Sequence, residues 1–135
     1  MKKQTALLIL ALALVFGCLS VKQAVAQSVK KGMIKVTILY PSGEGKTFDM
    51  DYYATKHIPL VKRLFGDDMK GATIDKGIAG GAPGAPVPYL AIGTLFFENV
   101  AAFQNGMKTY AQEIRADIPK YTNTTPIIQI SEVIE

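Results

Sequence analysis

The sequence predicts an α+β domain whose elements run strand, helix, strand, strand, helix, strand. Three observations carry this. Met33 to Tyr40 alternates apolar and polar residues, and Tyr89 to Phe97 is apolar on both faces apart from Thr94, so both read as strands. Two stretches, one opening at Asp49 and one at Asn99, repeat their apolar residues at helical spacing behind a good N-cap. The run Gly80 to Pro88 is rich in Gly and Pro and reads as a loop between two strands.

The elements follow a leader. Lys2 and Lys3 precede the unbroken apolar run Ala6 to Phe16, and Ala24-Val25-Ala26 is a small-x-small site. These three parts predict an export signal over residues 1–26, cut before Gln27, and a periplasmic or secreted product. The apolar run is barely long enough for a bilayer span of about 20 residues. Val15-Phe16-Gly17-Cys18 has the outline of a bacterial lipoprotein box, with bulky Phe16 where a small residue is usual. Acylation at Cys18 is the route by which this domain would meet a membrane.

Export changes the composition. Of fifteen Lys and Arg against eleven Asp and Glu, residues 1–26 hold Lys2, Lys3 and Lys22 and no acid, so the remainder is close to neutral. No basic patch argues for a nucleic-acid partner. Cys18 is the single cysteine and lies in the signal, which leaves the mature domain without a disulfide, a thiol nucleophile or a thiolate metal site. One compact domain, held by core burial alone, is expected.

Residues 27–32 are a short polar leader and residues 33–135 the domain. In the first strand Ile34, Val36 and Ile38 point one way, and Lys35, Thr37 and Leu39 the other. Asp49 caps the first helix, on which Tyr53, His57, Leu60 and Leu64 share a face; Pro59 should kink or interrupt it and Gly66 end it. A weaker strand follows near Ala72 to Ala79. After the third strand, Asn99 caps a helix with the stripe Val100, Phe103, Met107, Ala111 and Ile114. Pro119 and Pro126 bracket an irregular connection to a last strand, Ile127 to Ile134.

This order is the split βαβ pattern of ferredoxin-like folds. The last strand then lies beside the first, the first beside the third, and both helices cover one sheet face. The other face would mix Thr37 and Leu39 with Gln129, Ser131 and Val133. Such a half-apolar face reads as an interface or a pocket lining, and a second copy covering it is the expected partner.

Few residues carry recognisable chemistry. Gly43-Glu44-Gly45-Lys46-Thr47 lies between a strand and a helix, but a phosphate loop needs glycine where Tyr40 stands. His57 is the only histidine and, lacking a cysteine partner, cannot make the usual zinc set. It reads either as an acid or base, with Tyr53 one turn earlier orienting it by a hydrogen bond, or as a packed histidine satisfied by backbone. Haem ligation is a third option. Asp117, Tyr121 and Thr122 after the second helix either close a pocket or pin a loop, and Gly80 to Pro88 is either a flap or a plain connection.

Phe48-Asp49, Tyr52-Tyr53 and His57-x-Pro59-Leu60, continued by Tyr89-Leu90-Ala91, Asp117, Tyr121-Thr122, Pro126 and Ser131-Glu132-Val133, resemble the EthD family. The family is named for ethyl tert-butyl ether degradation, and the resemblance spans Met33 to Glu135. It implies a ferredoxin-like dimeric α/β barrel with two sheets face to face. It implies a small apolar organic ligand, and either metal-free chemistry of an oxidoreductase, decarboxylase or isomerase kind, under a reductase label, or a non-catalytic binding or accessory role. No cofactor is implied. Tyr53 and His57 carry over as catalytic candidates. Tyr52, Thr37, Gln129, Asp117 and Tyr121 are the candidate pocket residues, with the ligand between the first helix and the sheet. A purely binding role predicts a buried His57 with both ring nitrogens bonded to protein and no cavity beside it.

Overall fold

The computed structural model describes residues 29–135; the expected export signal, its cleavage site and Cys18 lie outside the described residues. Strand β1 (Ile34–Pro41) is followed by a helical run, then β2 (Met69–Lys76), β3 (Tyr89–Phe97), a long helix and β4 (Ile127–Glu132). The sheet is antiparallel throughout, in the order β2-β3-β1-β4. The last strand lies beside the first and the first beside the third, as the element order requires. Strand β2 begins at Met69, three residues before its expected start, where it continues directly from a 3₁₀ turn over Gly66–Asp68.

The first helical run has three parts: α1 (Met50–Tyr52), a π-turn (Tyr53–His57) and α2 (Ile58–Phe65). Asp49 caps it, its carboxylate accepting from the Tyr52 N–H at 2.9 Å. Pro59 has no N–H to give the carbonyl four residues back, and its ring crowds that carbonyl. The chain takes this up by widening one turn, so that the Ile58 N–H reaches the Tyr53 carbonyl.

That wider turn shifts the buried face. A regular helix places Tyr53, His57, Leu60 and Leu64 together, but the π-turn inserts an extra residue per turn. The buried series is therefore Tyr53, His57, Val61 and Phe65, while Leu60 and Leu64 are only half-buried. The expected face was right for its first two members and one residue early for the rest.

Helix α3 (Val100–Asp117) is capped by Asn99, whose side chain accepts from the Ala102 N–H at 3.0 Å. It approaches α2 closely at Gly106, where any side chain would collide with the Phe65 ring. Val36, Leu95, Phe97, Val61 and Phe65 form one part of the core, with Phe103, Met107 and Ile114 packed against it. A second cluster gathers Tyr40, Tyr53, Ala91 and Tyr121. The Gly/Pro segment between β2 and β3 is tied back to the start of the chain's first loop, through the Ser42 N–H to Pro88 carbonyl bond of 3.0 Å. Among the described residues no helix is long and apolar enough to cross a membrane.

Candidate functional site

The π-turn, the end of α3 and the end of β1 converge on His57. Its Nδ1 lies 2.8 Å from Asp117 Oδ2, and its Nε2 3.3 Å from the Tyr121 hydroxyl, which in turn lies 2.9 Å from the Tyr40 hydroxyl. An ionised carboxylate only accepts, so Nδ1 carries the imidazole proton. Nε2 of the neutral ring is then an acceptor, and Tyr121 donates to it. The Tyr121 oxygen in turn accepts from Tyr40. One tautomer and one direction of donation satisfy the whole chain from Tyr40 to Asp117.

Asp117 is itself fixed from outside. Its Oδ1 accepts from the Tyr52 hydroxyl at 3.0 Å and from Lys120 Nζ at 2.9 Å. Burial pushes its carboxyl upward, but the hydrogen bonds from Lys120, His57 and Tyr52 outweigh that and hold it below its ordinary value. Burial lowers the His57 pKa below the ordinary imidazole value, more than the Asp117 carboxylate raises it. His57 is therefore neutral at pH 7. Burial also raises Tyr40, Tyr53 and Tyr121, so all three phenols keep their protons.

Tyr53 does not orient His57 by a hydrogen bond, contrary to expectation. It stacks on the imidazole, with ring centroids 5.4 Å apart and planes 18° apart. Phe48, Tyr40 and Tyr121 box its other sides at 5.1, 5.5 and 5.1 Å. Its hydroxyl ends against Gly93 of β3, where a Cβ would overlap it. Nor is His57 satisfied by backbone, since two side chains take its nitrogens. A haem iron would need one of those nitrogens free.

A cavity of about 370 Å³ opens between the helices and the sheet. Its floor is Tyr40, Tyr53 and His57. Val36, Ile38 and Leu95 line it from the sheet, Val61 and Phe65 from α2, and Phe103, Met107 and Ile114 from α3. The volume falls in the ~300–1,000 Å³ range of small-molecule sites. The two marks of a purely binding histidine thus separate: both nitrogens are bonded to protein, yet a cavity reaches the ring.

The remaining candidates divide. Tyr52, Asp117 and Tyr121 belong to the His57 network but do not line the cavity. Thr37 and Gln129 do not belong to this site. They pair across β1 and β4, and strand alternation turns Thr37 away from its neighbours Val36 and Ile38, which line the cavity. Both sit on the outer sheet face. The Gly/Pro segment does not line the cavity either. Among the described residues no three His, Cys, Asp or Glu side chains gather into a metal-binding set.

Tyr40, Lys120 and Gly93 were not among the sequence candidates. Tyr40 continues the inward alternation of Ile34, Val36 and Ile38, so its direction was readable although its partner was not.

The family model described as the EthD domain matches residues 42–125. An EthD-like protein of Ralstonia eutropha is 40% identical, with a TM-score of 0.74, over 78% of this chain and 96% of that one. An EthD family protein of Bacillus halodurans is 20% identical, with a TM-score of 0.58, over 76% of this chain and 99% of that one, a likeness of fold alone. No curated protein matches the chain.

Proposed function

The chain belongs to the EthD family, and from that premise we propose an exported, homodimeric domain that binds an apolar organic molecule and moves a proton on it with His57. The observation that carries this reading is the buried chain Asp117–His57–Tyr121–Tyr40, of which His57 and Tyr40 line an apolar cavity. A neutral histidine held in one tautomer by a carboxylate is a poised base. Its Nε2 takes a proton from the substrate once the weak bond to Tyr121 yields. Asp117, already bonded to Nδ1, then balances the imidazolium. In the reverse direction Nε2 returns the proton. The apolar walls exclude water, which strengthens both interactions.

The chemistry this supports is proton abstraction beside a carbonyl or from a phenol, as in an isomerase, a decarboxylase or a metal-free oxygenation. Export follows from the leader, and the partner copy would cover the outer sheet face. The test is hydrogen exchange. An apolar ketone such as α-tetralone, incubated with the protein in deuterated water, should gain deuterium beside its carbonyl faster than in buffer. His57→Gln should abolish the gain. Exchange at the buffer rate, or unchanged exchange in the variant, counts against the acid–base reading.

A non-catalytic binding role is the second reading, favoured by the fact that both His57 nitrogens are already bonded to protein. It expects a tightly held metabolite in native mass spectrometry and no exchange.

A further inference from the structure

The cavity lining divides by exposure: Val36, Tyr53 and His57 are buried, whereas Arg115, Thr125 and Ile128 are exposed and mark its mouth. Arg115 lies on α3 beside Ile114 and one turn before Ile118, both of which line the cavity, so it flanks the apolar stripe.

Arg115 is the one lysine or arginine among the described lining residues, and no acidic residue lines the cavity. Two other cations have carboxylate partners: Lys120 lies 2.9 Å from Asp117 and Arg63 lies 3.8 Å from Glu113. Arg115 has no carboxylate within ion-pair distance among the described residues.

We propose that the molecule bound here is an apolar carboxylic acid, its carboxylate held by Arg115 at the mouth and its far end at His57. A guanidinium offers two parallel donors that match the two oxygens of a carboxylate. One guanidinium balances the single charge of a carboxylate; a phosphate would need more donors than this rim supplies. The charged group keeps its contact with water while the hydrocarbon body fills the apolar cavity. The reacting carbon or phenol is then the end remote from the acid. The inference rests on the reading of this cavity as the ligand site and adds the ligand's class and direction.

The test compares 2-naphthoic acid with its methyl ester by isothermal titration calorimetry. The acid should bind at least tenfold more tightly than the ester at low salt, and the gap should shrink in 0.5 M sodium chloride. Arg115→Gln, a change at an exposed side chain, should bring the acid down to the ester and leave the ester unchanged. Equal binding of acid and ester, or a preference that survives Arg115→Gln, overturns the carboxylate proposal and leaves the acid–base site standing. Failure of both probes to bind overturns the ligand reading and this proposal with it.

Discussion

The seat of Tyr53 offers a sharp test of how this site is built. A methyl group at Gly93 would overlap the Tyr53 hydroxyl and stand 3.2 Å from the ring carbon that bears it. Tyr53 is 1% exposed and boxed by Tyr40, Phe48, His57 and Tyr121, so it has nowhere to swing. Overpacking of this kind costs about 1–3 kcal/mol, and a boxed ring puts Gly93→Ala at the upper end. Replacing glycine by alanine in a strand recovers about 0.5–1 kcal/mol, for a net loss of about 2. For a domain of this size that lowers Tm by roughly 8–16 °C. Tyr53→Phe alone should cost about 1 kcal/mol for the lost hydroxyl. In the double variant the overlapping oxygen is gone, and the contact that remains needs only a small adjustment. Gly93→Ala should therefore cost almost nothing once Tyr53→Phe is in place, a coupling of about 2 kcal/mol. Urea unfolding of the four proteins gives the cycle. Additive losses, or a Gly93→Ala variant as stable as the parent, would refute the claim that Gly93 exists to seat Tyr53.

Four further outcomes are expected. Asp117→Ala strands the buried His57 Nδ1–H, removes the acceptor of the half-buried Tyr52 hydroxyl and should cost about 3 kcal/mol by urea unfolding, against almost nothing for Lys120→Ala at the exposed end of the same cluster. Stability should fall on acidification: the His57 pKa is lowered in the fold, so below the ordinary imidazole value near 6.5 the unfolded chain binds the extra proton, and Asp117, also lowered, adds a further loss below about 4. Thermal melts from pH 8 to 2 check this, and His57→Gln should flatten the upper part of the fall. Thr37→Arg puts a charge at the centre of the outer face; the parent should sediment as a dimer and the variant as a folded monomer, and a monomeric parent would remove the case for a covering copy. Amino-terminal sequencing of the exported protein should begin at Gln27; a start at an acylated Cys18 would mean a tethered domain instead.

The legible and illegible parts of this molecule differ by the range of the interactions that make them. Alternation in β1, the caps at Asp49 and Asn99, and the order of the six elements are local facts, and the sheet order follows from them by packing alone. The interruption at Pro59 was legible too, because a missing N–H is a property of one residue. Its form was not: a kink and a π-turn answer the same deficit, and only the π-turn moves the buried face from Leu60 and Leu64 to Val61 and Phe65. A one-residue shift there leaves Tyr53 and His57 where they were expected, because both precede the proline.

The site itself depends on meetings that leave no periodic trace. Asp117 lies 60 positions from His57 and Tyr121 lies 81 from Tyr40, so nothing in the local pattern pairs them. Thr37 and Gln129 illustrate the opposite case. Strand parity places Thr37 on the face away from Val36, and a cavity between the helices and the sheet can use only one face. Parity alone therefore separates Thr37 from His57, whatever the residue's polarity suggests. It also assigns Tyr40 to the helix side, in step with Ile34, Val36 and Ile38. A tyrosine at such an inward position needs a partner for its hydroxyl, because a buried phenol without one is costly. That need was visible in the sequence. The hydroxyl of Tyr121 meets it, and the same contact turns a lone histidine into the end of an ordered donor chain.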